Sequence, residues 1–142
     1  MTASLVRHRV TPSWTTRAAP LGVAALAAAA VGYVAAVDPN ESGHYPTCPF
    51  LAVTGLYCPG CGALRATHAL THGDLGAALG LNALAVLAVV PLLVAWAVWL
   101  RRSWAGRPRT WAAPATVIWL LLAAVLAFWV LRNVAAFSWL AP

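Results

Sequence analysis

Three cysteines, Cys48, Cys58 and Cys61, are the residues of this chain with the most specific chemistry. Thiolates attack disulfides and bind soft metal ions, so such a group predicts a disulfide, redox chemistry or a metal site. The last two belong to a Cys-Pro-Gly-Cys sequence. Proline followed by glycine is the order that a type II turn requires, because glycine accepts a positive φ at the third position. We therefore predict a type II turn that holds these two sulfurs close together.

A short helix is predicted directly after this turn. Good helix formers follow the second cysteine of the pair, and Gly73 stands where the helix is expected to stop. On this helix His68 and His72 share one face, and Arg65 lies near the same side. Asp74 is placed to cap the helix that follows.

The chain that positions these residues is strongly apolar. Hydrophobic residues make up 62% and charged residues 8%, whereas about a quarter of a soluble domain is charged. Three uncharged stretches, about 18–37, 78–100 and 112–131, approach or exceed the roughly 20 residues that a membrane helix needs. The predicted fold class is therefore all-α. The chain is expected to be a polytopic membrane protein with three transmembrane helices and an outer, cysteine-containing interfacial segment, 38–74, with one short helix.

The arginines predict the orientation. The net charge is +6, but the arginines flank apolar stretches instead of forming one basic face, which argues against a nucleic-acid partner. One cluster lies in residues 1–17, interpreted as a cytoplasmic basic arm, and another in residues 101–109, whereas the 38–74 connection carries only Arg65. Because positive residues stay inside, we expect a multi-pass protein of the cell membrane with its N-terminus cytoplasmic and its C-terminus outside. Residues 18–142 would form a single membrane domain.

Several features of the spans predict further detail. A cleaved signal peptide ending near Val34–Ala36 is the alternative for the first span, but its apolar stretch exceeds the 7–15 residues typical of signals. Gly80–Asn82 is expected to mark where an outer amphipathic turn passes into the membrane, and Pro91 is expected to kink the helix beyond it. Asn82 and Arg132 are interpreted as residues near the outer ends of their helices, explained by hydrogen bonding and by snorkelling to the lipid headgroups.

The outer segment also resembles a known family. The residues that carry the resemblance are Cys48, Pro49, Thr54, Gly55, Cys58, Pro59, Gly60, Cys61, Gly62, Arg65, Gly73, Asp74 and Asn82. Their order and spacing resemble an uncharacterised bacterial membrane family, catalogued as a domain of unknown function (number twenty-seven fifty-two). The resemblance covers roughly residues 48–100. It implies membrane residence and supplies no reaction.

The sequence favours a non-enzymatic assembly or scaffold protein. No span carries an acidic residue at its centre, and the common nucleotide-binding and hydrolase motifs are absent. In this interpretation the outer segment is pinned by a disulfide among Cys48, Cys58 and Cys61, or binds a partner. The expected partners are the lipid bilayer and either another copy of the chain or a different membrane protein.

Two alternatives stay open. The first is membrane thiol–disulfide exchange, in which Cys58 and Cys61 form the reactive pair, Cys48 relays and Arg65 favours the thiolate. The candidate catalytic residues are accordingly these four. The second alternative is a zinc site, because Cys-Pro-Gly-Cys-Gly resembles half of a zinc knuckle. Zinc is then the candidate cofactor, and the candidate ligands are Cys48, Cys58 and Cys61 with His68, His72 or His44.

Overall fold

The computed structural model describes residues 14–41, 43–107 and 112–142. All regular structure within these residues is helical and no strand occurs among them, which confirms the all-α prediction. The helices are α1 (Trp14–Ala36), α2 (Pro49–Thr54), α3 (Ala63–Thr71), α4 (Leu75–Trp104), α5 (Ala115–Leu131) and a C-terminal 3-10 helix (Ala135–Leu140). Most of the predicted basic arm, and Arg109 of the second arginine cluster, lie outside the described residues.

Two of these helices are long and apolar enough to cross a membrane. They are α1, from Arg17 to Ala36, and α4, whereas α5 is equally apolar but has only 17 residues. Large apolar side chains point outward from α4 and α5: Leu87 is 69% exposed and Trp119 is 68% exposed. A continuous apolar surface of this kind suits contact with lipid or another protein better than contact with water. The structure is thus compatible with a membrane protein and has two helices of spanning length where the sequence predicts three.

Helix α4 is interrupted at Asn82. This residue has φ −160° and ψ 89°, an extended conformation, while the residues on both sides are helical. The helix resumes because the Asn82 side-chain oxygen accepts a hydrogen bond from the Ala85 backbone N–H at 2.9 Å, as an N-cap does. The interruption lies within Gly80–Asn82, where the sequence predicts that an outer turn passes into the membrane; that membrane boundary stays a prediction. Pro91 lies within the second part of α4 without any further non-helical residue.

Close packing joins α1, α3 and α4. Helix α3 packs along the start of α4, and α1 packs against both. Ala66 of α3 and Ala78 of α4 are buried, and such small side chains let helix backbones approach closely. Further along, the Trp96 indole N–H donates to the Pro20 carbonyl at 3.0 Å and ties α4 to α1. Helices α1 and α4 therefore support the cysteine segment, residues 38–74, through their contacts with α3.

The cysteine segment contains two short helices, α2 and α3, so the prediction of one short helix is wrong. Helix α2 begins with Pro49, whose fixed φ suits the first helical position, and ends at Gly55, which has φ 71°. Helix α3 ends as predicted, with Gly73 at φ 79°. The Asp74 side chain then accepts a hydrogen bond from the Ala77 backbone N–H at 2.8 Å and caps α4, which confirms that prediction too.

Candidate functional site

The three cysteine side chains converge. The sulfur atoms of Cys48, Cys58 and Cys61 all lie within 4.8 Å of one another. Cys58 is central, with its sulfur 3.5 Å from that of Cys48 and 3.2 Å from that of Cys61. All three are free thiols in this structure. The fold therefore brings Cys48, which lies before α2, into one cluster with Cys58 and Cys61, which lie after it.

Helix α2 brings Cys48 to the other two cysteines. Cys48 is the residue directly before this helix, and its carbonyl accepts the first helical hydrogen bond, from the Ala52 N–H at 3.0 Å. At the other end, the Thr54 hydroxyl donates to the Phe50 carbonyl and accepts from the Leu56 N–H, which fixes the exit from the helix. The chain can then return to Cys58 beside the start of α2.

The turn between Cys58 and Cys61 is not of type II. The Cys61 N–H donates to the Cys58 carbonyl at 3.1 Å, which closes a turn, but Gly60 does not have the positive φ that type II requires. The positive φ, 79°, belongs instead to Gly62, at the start of α3. A Cβ on Gly62 would lie 2.5 Å from the Leu81 carbonyl oxygen. The close approach of α4 thus leaves no room for a side chain at residue 62, and the prediction of a type II turn is wrong.

Asn82 holds this turn from the α4 side. Its side-chain amide donates to the carbonyls of Pro59 and Cys61, each at 3.0 Å. The residue is 1% exposed. Asn82 is therefore an interior residue that does not reach the headgroups. The hydrogen bonds of its side-chain amide go to the cysteine turn and to the cap of the following helix.

The end of α5 holds the turn from the opposite side. Arg132 donates from Nη1 to the carbonyls of Cys58 and Pro59, at 3.0 and 3.4 Å. Asn133 pairs with the backbone of Tyr57, accepting from its N–H at 2.8 Å and donating to its carbonyl at 2.9 Å. These contacts anchor α5 to the cysteine segment. The sequence reasoning missed this role, although two consecutive polar residues at the end of an apolar helix are a signal that could have drawn attention to it.

Arg132 is buried, with 2% of its surface exposed, and its interpretation as a residue that reaches the headgroups is wrong. Its Nε and Nη2 atoms are buried and have no hydrogen-bond partner in the part of the chain that the structure describes. The rings of Phe128 and Tyr57 lie 4.9 and 5.8 Å from the guanidinium carbon. Such rings contribute about 0.5–2 kcal/mol each, while burying an ion costs several kcal/mol. A positive charge that is only partly compensated therefore lies beside the cysteine turn.

The other predicted site residues lie elsewhere. The group of close metal-binding donors found among the described residues consists of the three sulfurs and includes no histidine. His68 Nδ1 makes a 2.8 Å hydrogen bond with the Val34 carbonyl of α1, and His72 Nδ1 lies 2.9 Å from the His68 carbonyl. His44 is exposed, and Arg65 is half-buried on α3. The cation that contacts the cysteine turn is Arg132 rather than Arg65.

The environment of the three thiols differs. Two contacts hold the pKa of Cys48 below its ordinary value. The larger effect comes from a hydrogen bond with the backbone of Leu51, and the next from the contact with the Cys58 thiol. Burial raises the pKa of Cys61 to about 11, because the charged thiolate is poorly solvated there. Cys48 is therefore the thiol that ionises readily and Cys61 the one that resists ionisation.

The fold and the site together define an all-helical protein with apolar helices and a three-cysteine cluster that could hold a metal ion. Residues 48–96 match the model of a family described as "Protein of unknown function (DUF2752)". The resemblance seen in the cysteine motif is confirmed over this range. The match covers the cysteines and Asn82 but not the end of α5. No curated protein and no solved structure matches the chain.

Proposed function

We propose that this chain is an integral membrane protein whose cysteine segment binds a thiophilic metal ion, zinc in the first instance, through Cys48, Cys58 and Cys61. The observation that carries the proposal is the convergence of the three sulfurs within 4.8 Å. A Zn–S bond of about 2.3 Å in a tetrahedron separates neighbouring sulfurs by about 3.8 Å. The two shortest separations, 3.2 and 3.5 Å, need to open by only a few tenths of an ångström to reach that value.

A bound ion would act as a structural pin. It would join the start of α2, the cysteine turn and the start of α3, three pieces of chain that otherwise meet through hydrogen bonds. This role agrees with a non-enzymatic assembly or scaffold protein, in which the pinned segment presents a fixed surface to a partner. Three protein ligands leave a fourth position of the ion for water or for a donor from a partner.

The proposed topology has three spans, with the N-terminus in the cytoplasm and the cysteine segment outside. The length of α5 supports a third span, because its 17 residues lie at the short end of the roughly 17–25 that span a bilayer. Arg101 and Arg102 lie at the end of α4 opposite the cysteine segment, where the positive-inside rule favours the cytoplasm. Reporter fusions after residue 40 and within 101–109 test this topology. An outward-facing 101–109 loop would overturn the orientation of all three helices.

Thiol–disulfide exchange is the second candidate, favoured by the central position of Cys58. If a Cys58–Cys61 disulfide formed, the Cys48 thiolate could attack the Cys58 sulfur, form a Cys48–Cys58 disulfide and release Cys61 as a thiolate, with no net oxidation. A thiol with a high pKa is a slow leaving group, however, and burial raises the pKa of Cys61 to about 11. The high pKa of Cys61 therefore disfavours this exchange step.

Cobalt(II) titration of the purified, reduced, full-length protein in detergent tests the metal proposal. We expect one equivalent of Co²⁺ to produce the intense absorption of thiolate-to-cobalt charge transfer, and Zn²⁺ to displace it. Cys48→Ser, Cys58→Ser and Cys61→Ser should each weaken binding strongly. His68→Ala and His72→Ala serve as matched controls in the same segment and should leave the absorption unchanged.

Mass labelling of free thiols separates the metal from a disulfide. Protection that a chelator removes supports the metal site, whereas protection that only a reductant removes supports a disulfide and the second candidate. Three thiols that react freely in protein isolated under native conditions, together with no cobalt absorption, would refute both. In that case a partner-binding segment without cysteine chemistry would be the function to test.

A further inference from the structure

We propose that Arg132 is the counter-ion of the metal–thiolate cluster and that it makes the site specific for a divalent ion. This inference rests on the metal-binding function proposed above and adds the charge that the site accepts. Three features of the molecule carry it: the position of Arg132, its burial and the balance of charges around the three sulfurs.

The position of Arg132 is fixed by the cysteine turn itself. Nη1 donates to the carbonyls of Cys58 and Pro59, so the guanidinium group lies directly against the backbone that carries the central sulfur. Tyr57 and Phe128 lie over the guanidinium and help to keep water away from it.

Arg132 is buried without enough hydrogen-bond acceptors and without a neighbouring negative charge among the described residues. Nε and Nη2 are both buried without a hydrogen-bond acceptor among the described residues. A buried cation needs a nearby anion, because water is not there to solvate it. The thiols of Cys58 and Cys61, which belong to the turn that Arg132 contacts, can supply this negative charge when they are ionised.

The charge balance then selects the ion. A divalent ion binds as Zn²⁺ + 3 Cys–SH → [Zn(S–Cys)₃]⁻ + 3 H⁺, which leaves one negative charge for Arg132 to neutralise. A trivalent centre such as arsenic binds as As(OH)₃ + 3 Cys–SH → As(S–Cys)₃ + 3 H₂O, and its product is neutral. A neutral product gains nothing from a neighbouring cation. Arg132 therefore favours the divalent ion over the trivalent one.

The test compares the affinities of Zn²⁺ and arsenite for the full-length protein in detergent. We expect Arg132→Gln to weaken Zn²⁺ binding by about 10- to 100-fold, the effect of one unit charge several ångströms away at an effective dielectric constant of about 20. Arsenite affinity should change by less than about threefold. Arg132→Lys, which keeps the charge, should restore most of the Zn²⁺ affinity. Arg101→Gln removes an equal charge from the far end of α4 and should change neither affinity.

The outcomes separate this inference from the function on which it rests. An unchanged Zn²⁺ affinity in Arg132→Gln overturns the inference while leaving the metal site standing. Equal losses of Zn²⁺ and arsenite affinity also overturn it, because they indicate that Arg132 only maintains the shape of the turn. A wild-type protein that binds neither ion overturns the proposed function and the inference together.

Discussion

Substitution of Asn82 tests whether the cysteine turn is held in place by the interruption of α4. The Asn82 side chain donates to the carbonyls of Pro59 and Cys61, and its oxygen caps the following helix at Ala85. Serine retains a good capping oxygen but is too short to reach both carbonyls. Alanine has neither capability. Comparing Asn82→Ser with Asn82→Ala therefore separates the stability that comes from the hydrogen bonds to the turn from the stability that comes from the helix cap.

The magnitude follows from the individual bonds. A lost hydrogen bond costs about 0.5–1.5 kcal/mol, and a buried carbonyl left without a donor costs about 1–3 kcal/mol. Pro59 keeps a contact with Arg132 at 3.4 Å, so only the Cys61 carbonyl loses its side-chain donor altogether. We expect a destabilisation of about 2 kcal/mol for Asn82→Ser. The lost cap adds about 1 kcal/mol, which gives about 3 kcal/mol for Asn82→Ala.

The assay is the native-state alkylation rate of Cys61, which is 8% exposed and must be uncovered before it reacts. If labelling requires local opening of the turn, a loss of about 2 kcal/mol raises the rate about 30-fold. Asn40→Ala is the matched control, because Asn40 is exposed and its side chain bonds to Asp38 in the same segment. A Cys61 labelling rate in Asn82→Ser equal to that of Asn40→Ala would refute the role of Asn82 as the anchor of the cysteine turn.

Two other predictions concern the glycines and the thiols of the same segment. Substitution by alanine should lower the free energy of unfolding least at Gly60, more at Gly73 and most at Gly62. Gly60 lacks a positive φ, whereas Gly73 has φ 79° in open space, which costs alanine about 1–2 kcal/mol. At Gly62 a close contact with backbone adds to the cost of the positive φ. A tolerated Gly62→Ala would contradict the packing described. In the metal-free protein, iodoacetamide followed by mass spectrometry should modify Cys48 at lower pH than Cys61. Modification of Cys61 at a lower pH than Cys48 would disprove this difference in environment. The folded state raises the pKa of Cys61 from 9.0 to about 11. The stability that its neutral thiol contributes is therefore complete below about pH 9 and is lost as the pH rises toward 11.

The elements that the sequence predicts correctly are those controlled by neighbouring residues. The stop at Gly73 and the cap at Asp74 depend on a few residues of chain, and both are present in the structure. The interruption of α4 at Asn82 lies in the stretch, Gly80–Asn82, that the sequence marks as a change from an outer turn to a membrane helix. The turn type is different. Gly60 and Gly62 both have the freedom to adopt a positive φ, and it is Gly62 that does so, at a position where the Leu81 carbonyl of α4 leaves no room for a side chain.

The candidate site shows the same division. That Cys58 and Cys61 lie close together follows from their spacing. The approach of Cys48 depends on α2, which the sequence analysis did not predict. The sequence also places His68 and His72 on one face, and their rings are indeed 4.2 Å apart. The sequence does not show that this face of α3 packs against α1, because that contact depends on how the helices assemble in the fold.

Arg132 is the residue that sequence reasoning treats least well. An arginine after an apolar helix has the same local sequence whether it reaches headgroups or turns inward. What decides is the position of the helix end relative to Tyr57 and Cys58, more than 70 residues earlier in the chain. The match to the family model ends at residue 96 and does not include Arg132 either.

The cysteine turn is held rigidly by the protein itself. Each carbonyl from residue 57 to residue 61 accepts a hydrogen bond, and the donors are side chains of Asn82, Arg132 and Asn133 and the backbone N–H groups of Cys61 and Ala63. Small zinc domains that fold only when metal binds must use binding free energy to order their ligands. In this chain much of that ordering is done by α4 and α5. The sulfurs are therefore presented in advance, and an ion that binds them loses less of its affinity to conformational entropy.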